Sequence, residues 1–160
     1  MNAVNQAAAP TAEREIAQTR IFRAPRELVF EMWTNPEHIV NWYGPKGFTD
    51  TVIEMDVRPG GVWRHVMHGP DGVDYQNDCR YLEIVRPERL VYEHLSPPEF
   101  VATVTFEEFG EETRMTMQMV FESVELLNDT VTKYGAVDGL TQTLGRLEEL
   151  LAKHYPSAIR

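Results

Sequence analysis

Between Val52 and Phe121 the chain reads as strand after strand, broken by turns rich in proline and glycine; after Ser123 it reads as helix. This change of period constrains the fold more than any other feature. The strand-like runs are Val52 to Val57, Gly61 to His68, Tyr75 to Val85, Arg89 to His94, Phe100 to Phe109 and Thr113 to Phe121. Their turns carry Pro59-Gly60, Gly69-Pro70-Asp71-Gly72, Pro87 and Gly110-Glu111-Glu112, so consecutive strands pair antiparallel as a meander. The helical part opens at Ser123, a cap candidate, and is interrupted at Gly135. Leu140, Leu144, Leu147 and Leu151 then recur at four, three and four residues, the stripe of one amphipathic helix that Pro156 is expected to close. One antiparallel sheet must cover an apolar face, and this helix is the only element long enough to do so. The expected class is therefore α+β. A strongly bent sheet around a single helix leaves a hollow between them, the kind of concave apolar place where small ligands bind.

Upstream, Arg14 to Arg23 has the β-branched content of a first strand. Pro25 suits the first turn of a helix, where its missing N–H costs nothing. Leu28, Val29, Met32 and Trp33 give that helix an apolar stripe. Asn35-Pro36 ends it and starts a second short helix, with Asn35 or Thr34 as cap and a stop near Trp42, before Gly44-Pro45. Residues 1–12 are small and polar. They are expected to form a loose tail and have neither the basic start nor the apolar core of a signal peptide. Residues 13–155 then make one domain, long enough to bury roughly two-thirds of the surface of its unfolded form.

Bulk properties remove several functions. The formal net charge is -10, and an acidic surface is repelled by nucleic-acid backbones and anionic membranes alike. No apolar run is long enough to span a bilayer. The one cysteine, Cys79, cannot form an intrachain disulfide, so the fold does not depend on an oxidising compartment, and a cytoplasmic location is expected. His65 and His68 point to opposite faces of their strand, and no other group of His, Cys, Asp or Glu has metal-ligand spacing. No metal or other cofactor is expected. No Ser–His–Asp order, phosphate loop or paired-carboxylate motif is present.

The stretch "DVRPGGVWRHVMHGPDG", Asp56 to Gly72, places Trp63, His65 and Met67 on one strand face. Such residues serve a packed core or a hollow equally well. Met115, Met117, Met119 and Phe121 alternate on the last strand and must face the helix; methionine suits either a core or an adaptable pocket. Leu90, Tyr92 and His94 share a face, as do Tyr81 and Glu83. Trp33, Trp42 and Tyr43 plug one end of the hollow or, with "WYGPKGF" (Trp42 to Phe48), form a lip at its entrance.

These residues, with others in order, carry a family resemblance. They are Ala24-Pro25 with Val29-Phe30, "WTNPEHIVNWYGP" (Trp33 to Pro45), "DVRPGG" (Asp56 to Gly61) with Trp63, "YLEIVRPERLVY" (Tyr81 to Tyr92), "VTF" (Val104 to Phe106), "TRMTM" (Thr113 to Met117), and Leu144, Leu147, Leu150 and Leu151. The chain resembles the START-like helix-grip (SRPBCC) superfamily over about residues 14–154. Within it, the nearest family is that related to the C-terminal domain of the activator of the heat-shock-protein-90 ATPase. The resemblance implies a curved antiparallel sheet wrapped around a long C-terminal helix, with two short helices after the first strand. The superfamily includes lipid and hormone carriers, polyketide cyclases and aromatases, and co-chaperone domains, so the fold does not fix the function. Three departures from the family pattern stand out. Cys79 and Arg80 replace a glycine and an apolar residue, Leu140 stands where tryptophan is common, and His65 stands where an aromatic is usual.

Three functions follow as expectations. The first is binding of a small apolar or aromatic molecule, with Trp63, Met67, Met117, Met119, Leu140 and Leu144 as walls. His65, Tyr81, Tyr92 and His94 are then the polar points, and Trp33 and Trp42 stand at the end. The second is a stress-related co-chaperone with a chaperone partner. The third is a cyclase- or hydrolase-type enzyme using His65 or His94 as general base. An exposed sheet edge leaves a homodimer open.

Overall fold

A computed structural model describes residues 13–154; the expected tail and the stop at Pro156 lie outside them. The elements are β1 (Glu15–Phe22), α1 (Arg26–Thr34), α2 (Pro36–Ile39), β2 (Thr49–Met55), β3 (Val62–His68), β4 (Asp74–Val85), β5 (Arg89–His94), β6 (Phe100–Phe109), β7 (Glu112–Phe121), α3 (Val124–Tyr134) and α4 (Ala136–His154). All seven strands form one antiparallel sheet in the order β1-β7-β6-β5-β4-β3-β2. It is the meander of the sequence, closed on one side by β1, and with α4 against it the fold is of the helix-grip type.

Local chemistry sets the boundaries. Asn35 caps α2 by accepting the Glu37 N–H at 2.9 Å, and Ser123 caps α3 by accepting the Leu126 N–H at 3.0 Å. Gly135, at φ 59°, ends α3 in the left-handed conformation that glycine adopts most easily and turns the chain into α4. Leu140, Leu144, Leu147 and Leu151 are all buried. Each such leucine contributes about 1.5–3 kcal/mol of transfer free energy, which fixes the helix on the sheet.

One strand begins earlier than the sequence pattern predicts. β2 starts at Thr49, not Val52, because its ladder with β3 already pairs Thr49 with His68 and Asp50 with Met67. Backbone pairing there overrides the polar composition of Thr49-Asp50. The turn from β2 to β3 is as expected: Gly61 N donates to Arg58 O at 2.8 Å, and Gly60 has φ 84°, the geometry of a type II turn. Gly61 is constrained by space. A Cβ there would lie 2.0 Å from the Asp56 carbonyl oxygen and 3.0 Å from that of Arg58. Gly61→Ala is expected to cost about 1–3 kcal/mol as the backbone shifts to make room, read as a lower urea midpoint with unchanged slope.

Candidate functional site

The space between α4 and the sheet is a cavity of about 200 Å³. Its apolar walls are Met67 on β3, Phe100 on β6, Met117 and Met119 on β7, Leu140 on α4 and Trp33 on α1. Asn77, His94, Thr130 and Thr143 add polar groups. Tyr43, Gly44 and Pro45 border it from the loop after α2. Outside this loop lies an open groove of about 800 Å³, bounded also by Lys46, Phe48, Tyr75, Pro97 and Tyr134. Pro45, Met67, Asn77, Pro98 and Tyr134 border both spaces, so the groove is the antechamber of the cavity.

The loop between the two spaces is tied to α4. Arg146 Nη1 donates to Gly44 O at 2.8 Å and to Pro45 O at 3.1 Å, and Nη2 reaches Asn41 O at 3.5 Å. The Lys46 N–H donates to Gln142 Oε1 at 3.1 Å. Burial lowers the pKa of Arg146, but the carbonyls it binds are those of a helix end and turn, where a guanidinium is well placed to satisfy free acceptors.

Of the twelve residues singled out in the sequence, Trp33, Met67, His94, Met117, Met119 and Leu140 border the cavity. Trp42, Trp63, His65, Tyr81, Tyr92 and Leu144 lie in the packed layer beside it and are all buried. The reason is crowding by large rings. Trp63 stacks on His65 at 4.4 Å and 13° and lies parallel to Tyr81 at 6.3 Å. It also meets Tyr43 and Tyr92 edge-on at 5.1 and 5.3 Å. Trp42 packs edge-on against Trp33 at 4.9 Å and donates its indole N–H to Met32 O at 3.1 Å. Glu83, by contrast, forms a solvent-facing ion pair with Arg89 at 2.7 Å, and Arg58 pairs with Asp56 at 2.8 Å.

Sequence reasoning missed Asp50 and the role of Tyr43. The Asp50 side chain is 0% exposed, and its Oδ1 lies 2.9 Å from Nδ1 of His65, itself 1% exposed. The signal was present: with β2 starting at Thr49, Asp50 shares a face with Val52, the cross-strand partner of His65. Tyr43 touches His65 edge-on at 5.4 Å, and its hydroxyl shares a 2.9 Å hydrogen bond with that of Tyr92. Burial raises the pKa of Tyr43, Tyr81 and Tyr92 far above the ordinary phenol range, so all three are neutral phenols. Burial, then the charges of Asp78 and Asp50, push the Cys79 thiol upward too, leaving it without thiolate character.

His94 sits at the junction of cavity and groove. Its Nδ1 lies 2.8 Å from Pro98 O, which can only accept, so Nδ1 carries a proton. Nε2 lies 2.6 Å from Asn77 Oδ1, a pairing that needs a second ring proton; a neutral ring takes the same bond only if the Asn77 amide turns its Nδ2–H inward and gives up its 3.0 Å bond to Tyr75 O. Burial favours the neutral ring and lowers the pKa from 6.5, against a smaller opposing effect of the Pro98 carbonyl. The ring also lies flat on Phe100 at 4.7 Å. With the folded-state pKa below the unfolded one, the unfolded chain binds the proton first as pH falls. Stability is therefore expected to decline as pH drops below about 6.5. His94→Gln should flatten that part of the pH profile in urea titrations.

Among the described residues no group of three or more His, Cys, Asp or Glu is placed to hold a metal ion. No helix among them is long and apolar enough to cross a membrane.

The sequence model of the family described as Activator of Hsp90 ATPase homolog 1-like protein matches residues 23–152, from the end of β1 nearly to the end of α4. The chain belongs to this family. None of the curated proteins compared with it matches. Among solved structures, a protein of Nitrosomonas europaea is similar with a TM-score of 0.81 and 25% identity, over 89% of this chain and 97% of that one. One from Arthrobacter aurescens has a TM-score of 0.83 at 22% identity, over 89% and 88% of the two chains. An AHSA1 protein of Silicibacter pomeroyi has a TM-score of 0.71 at 18% identity, over 88% and 99%. At such identities the last two speak for the fold alone. His65 gives the buried Asp50 a partner at 2.9 Å, and Leu140 borders the cavity.

Proposed function

We propose that this family member binds a small, largely apolar molecule between α4 and the sheet. The observation that carries the reading is the cavity of about 200 Å³ walled by Trp33, Met67, Phe100, Met117, Met119 and Leu140. An apolar cavity of about 150 Å³ is enough to hold benzene, so this one matches a substituted ring or a short branched chain. The larger groove outside accommodates a substituent that protrudes past Pro45 and Tyr134. Methionines on β3 and β7 let the walls adapt to guests of different shape. The histidines lend less support to an enzyme: both ring nitrogens of His94 are engaged, and His65 is covered by Tyr43 and Trp63. A chaperone partner is suggested by the family description alone; a pull-down with the heat-shock ATPase separates that reading from this one.

The test is a thermal-shift screen of one-ring aromatics and short aliphatics, followed by calorimetry of the compounds that raise the melting temperature. Leu140→Trp places a ring in the cavity. It is expected to abolish binding while changing stability by less than about 1.5 kcal/mol, since the added volume enters open space. Absence of a shift from every compound in the wild-type protein, or unchanged binding in Leu140→Trp, would overturn the proposal.

A further inference from the structure

Six buried side-chain polar atoms have no hydrogen-bond partner among the described residues, and five of them lie in one cluster: Asp50 Oδ2, His65 Nε2, Trp63 Nε1, Tyr81 Oη and Trp33 Nε1. Leaving such atoms unpaired is costly, and native proteins keep few of them. Their concentration beside a cavity is what a site awaiting the polar end of a guest looks like.

The hydrogen-bond logic of the cluster gives the chemistry of that end. Asp50 Oδ1 accepts, which places a proton on His65 Nδ1; in this tautomer Nε2 offers a lone pair. Asp50 Oδ2 is a second acceptor. At the pair a guest must therefore donate, while the indole N–H groups of Trp33 and Trp63 can only donate and Tyr81 Oη can do either, so a group that both donates and accepts, as a hydroxyl does, suits the cluster. Position agrees: Met67 pairs with Asp50 across β2 and β3, Asn77 pairs with His65 across β3 and β4, and Tyr43 lies against the His65 ring. All three border the cavity. The Asp50–His65 pair is thus one residue layer behind the cavity wall. Charge narrows the guest further. No Lys, Arg, Asp or Glu borders the cavity, and Arg146 is occupied by the carbonyls of the loop. An anionic guest would meet the Asp50 carboxylate with no counter-charge.

We infer that the Asp50–His65 pair is an inner anchor for the hydroxyl of a neutral, ring-sized guest, phenol-like in chemistry, and that carboxylates are excluded. The hydroxyl donates to His65 Nε2. It arrives by displacing the edge of Tyr43, whose hydroxyl makes one hydrogen bond, to Tyr92. The Trp63 face holds the His65 ring in place meanwhile. This anchor rests on the cavity reading above but is separable from it.

The experiment compares ethylbenzene, 4-ethylphenol and 4-ethylbenzoate by calorimetry on the full chain. A hydroxyl entering an apolar cavity without a partner loses affinity, so any gain reports an acceptor inside. The phenol is expected to bind about tenfold more tightly than the hydrocarbon, with the carboxylate weakest. In the double variant Asp50→Leu/His65→Phe, ethylbenzene should bind as before and the phenol should lose its advantage. In the wild-type protein the ¹⁵N resonance of His65 Nε2 should move with the phenol and not with ethylbenzene. Equal affinities for phenol and hydrocarbon, tightest binding of the carboxylate, or a phenol advantage that survives in the double variant would overturn the anchor while leaving the cavity reading intact. Binding of none of the three would overturn both.

Discussion

Trp63→Ala is expected to cost about 3–5 kcal/mol of folding stability, measured as the loss of unfolding free energy in urea. The indole is 1% exposed and touches Tyr43, His65, Tyr81 and Tyr92 at once. No single neighbour can close over the space it leaves, because each ring is itself held by another contact. A domain of this size has about 5–15 kcal/mol in total, so the variant should be only marginally folded at room temperature. Trp63→Phe keeps most of the ring contact and should lose much less. A loss below about 1 kcal/mol in Trp63→Ala would show that the cluster repacks, contrary to the close packing described above.

The second large effect concerns the buried, hydrogen-bonded pair of Asp50 and His65. Asp50→Ala removes one member and leaves His65 with no partner at either ring nitrogen, since Nε2 already has none. Breaking such a pair from one side costs about 3–5 kcal/mol, whereas replacing both members by apolar residues of similar volume is often neutral or stabilising by about 1–4 kcal/mol. Asp50→Leu combined with His65→Phe, which keeps a ring stacked on Trp63, is therefore expected to be at least as stable as the parent. Urea titrations of both variants give the coupling directly. If the double variant were as damaged as Asp50→Ala, the pair would be contributing net stability and the case for retaining it as a binding device would fall.

Much of this arrangement was legible in the sequence because it depends on period and punctuation. The alternation of Trp63, His65 and Met67, and of Met115, Met117 and Met119, assigns faces without knowledge of partners, and the glycine and proline turns delimit β5 and β6 at the residues observed. The leucine repeat located α4. What was not legible depends on distance between strands. Asp50 looked like a loop residue because Thr49-Asp50 is polar, and only the pairing of β2 with β3 makes it internal. Which inward residues border space and which fill it was equally hidden. Trp63 and Met67 alternate on the same strand, yet one is enclosed by four rings and the other lines the cavity. That division follows from side-chain volumes contributed by α1, the loop after α2 and β5, not from the strand itself.

The neighbour relation of β1 and β7 has a consequence for how the chain reaches this state. Glu15 pairs with Val120 and Phe22 with Thr113, so among the described residues β1 finds its sheet partner in the strand farthest from it along the chain. Every other strand pair joins segments adjacent in sequence. The meander from β2 to β7 can zip from turn to turn, while β1 must wait, its Ile16 and Phe22 without cover, until β7 has emerged. Loop closure over that separation is the slowest kind of contact to form, and the interval in which β1 is unpaired is the one in which the growing chain is most open to association with others. Docking of β1 is thus expected to be the step that commits the sheet to its final curvature, with α4 covering the hollow afterwards.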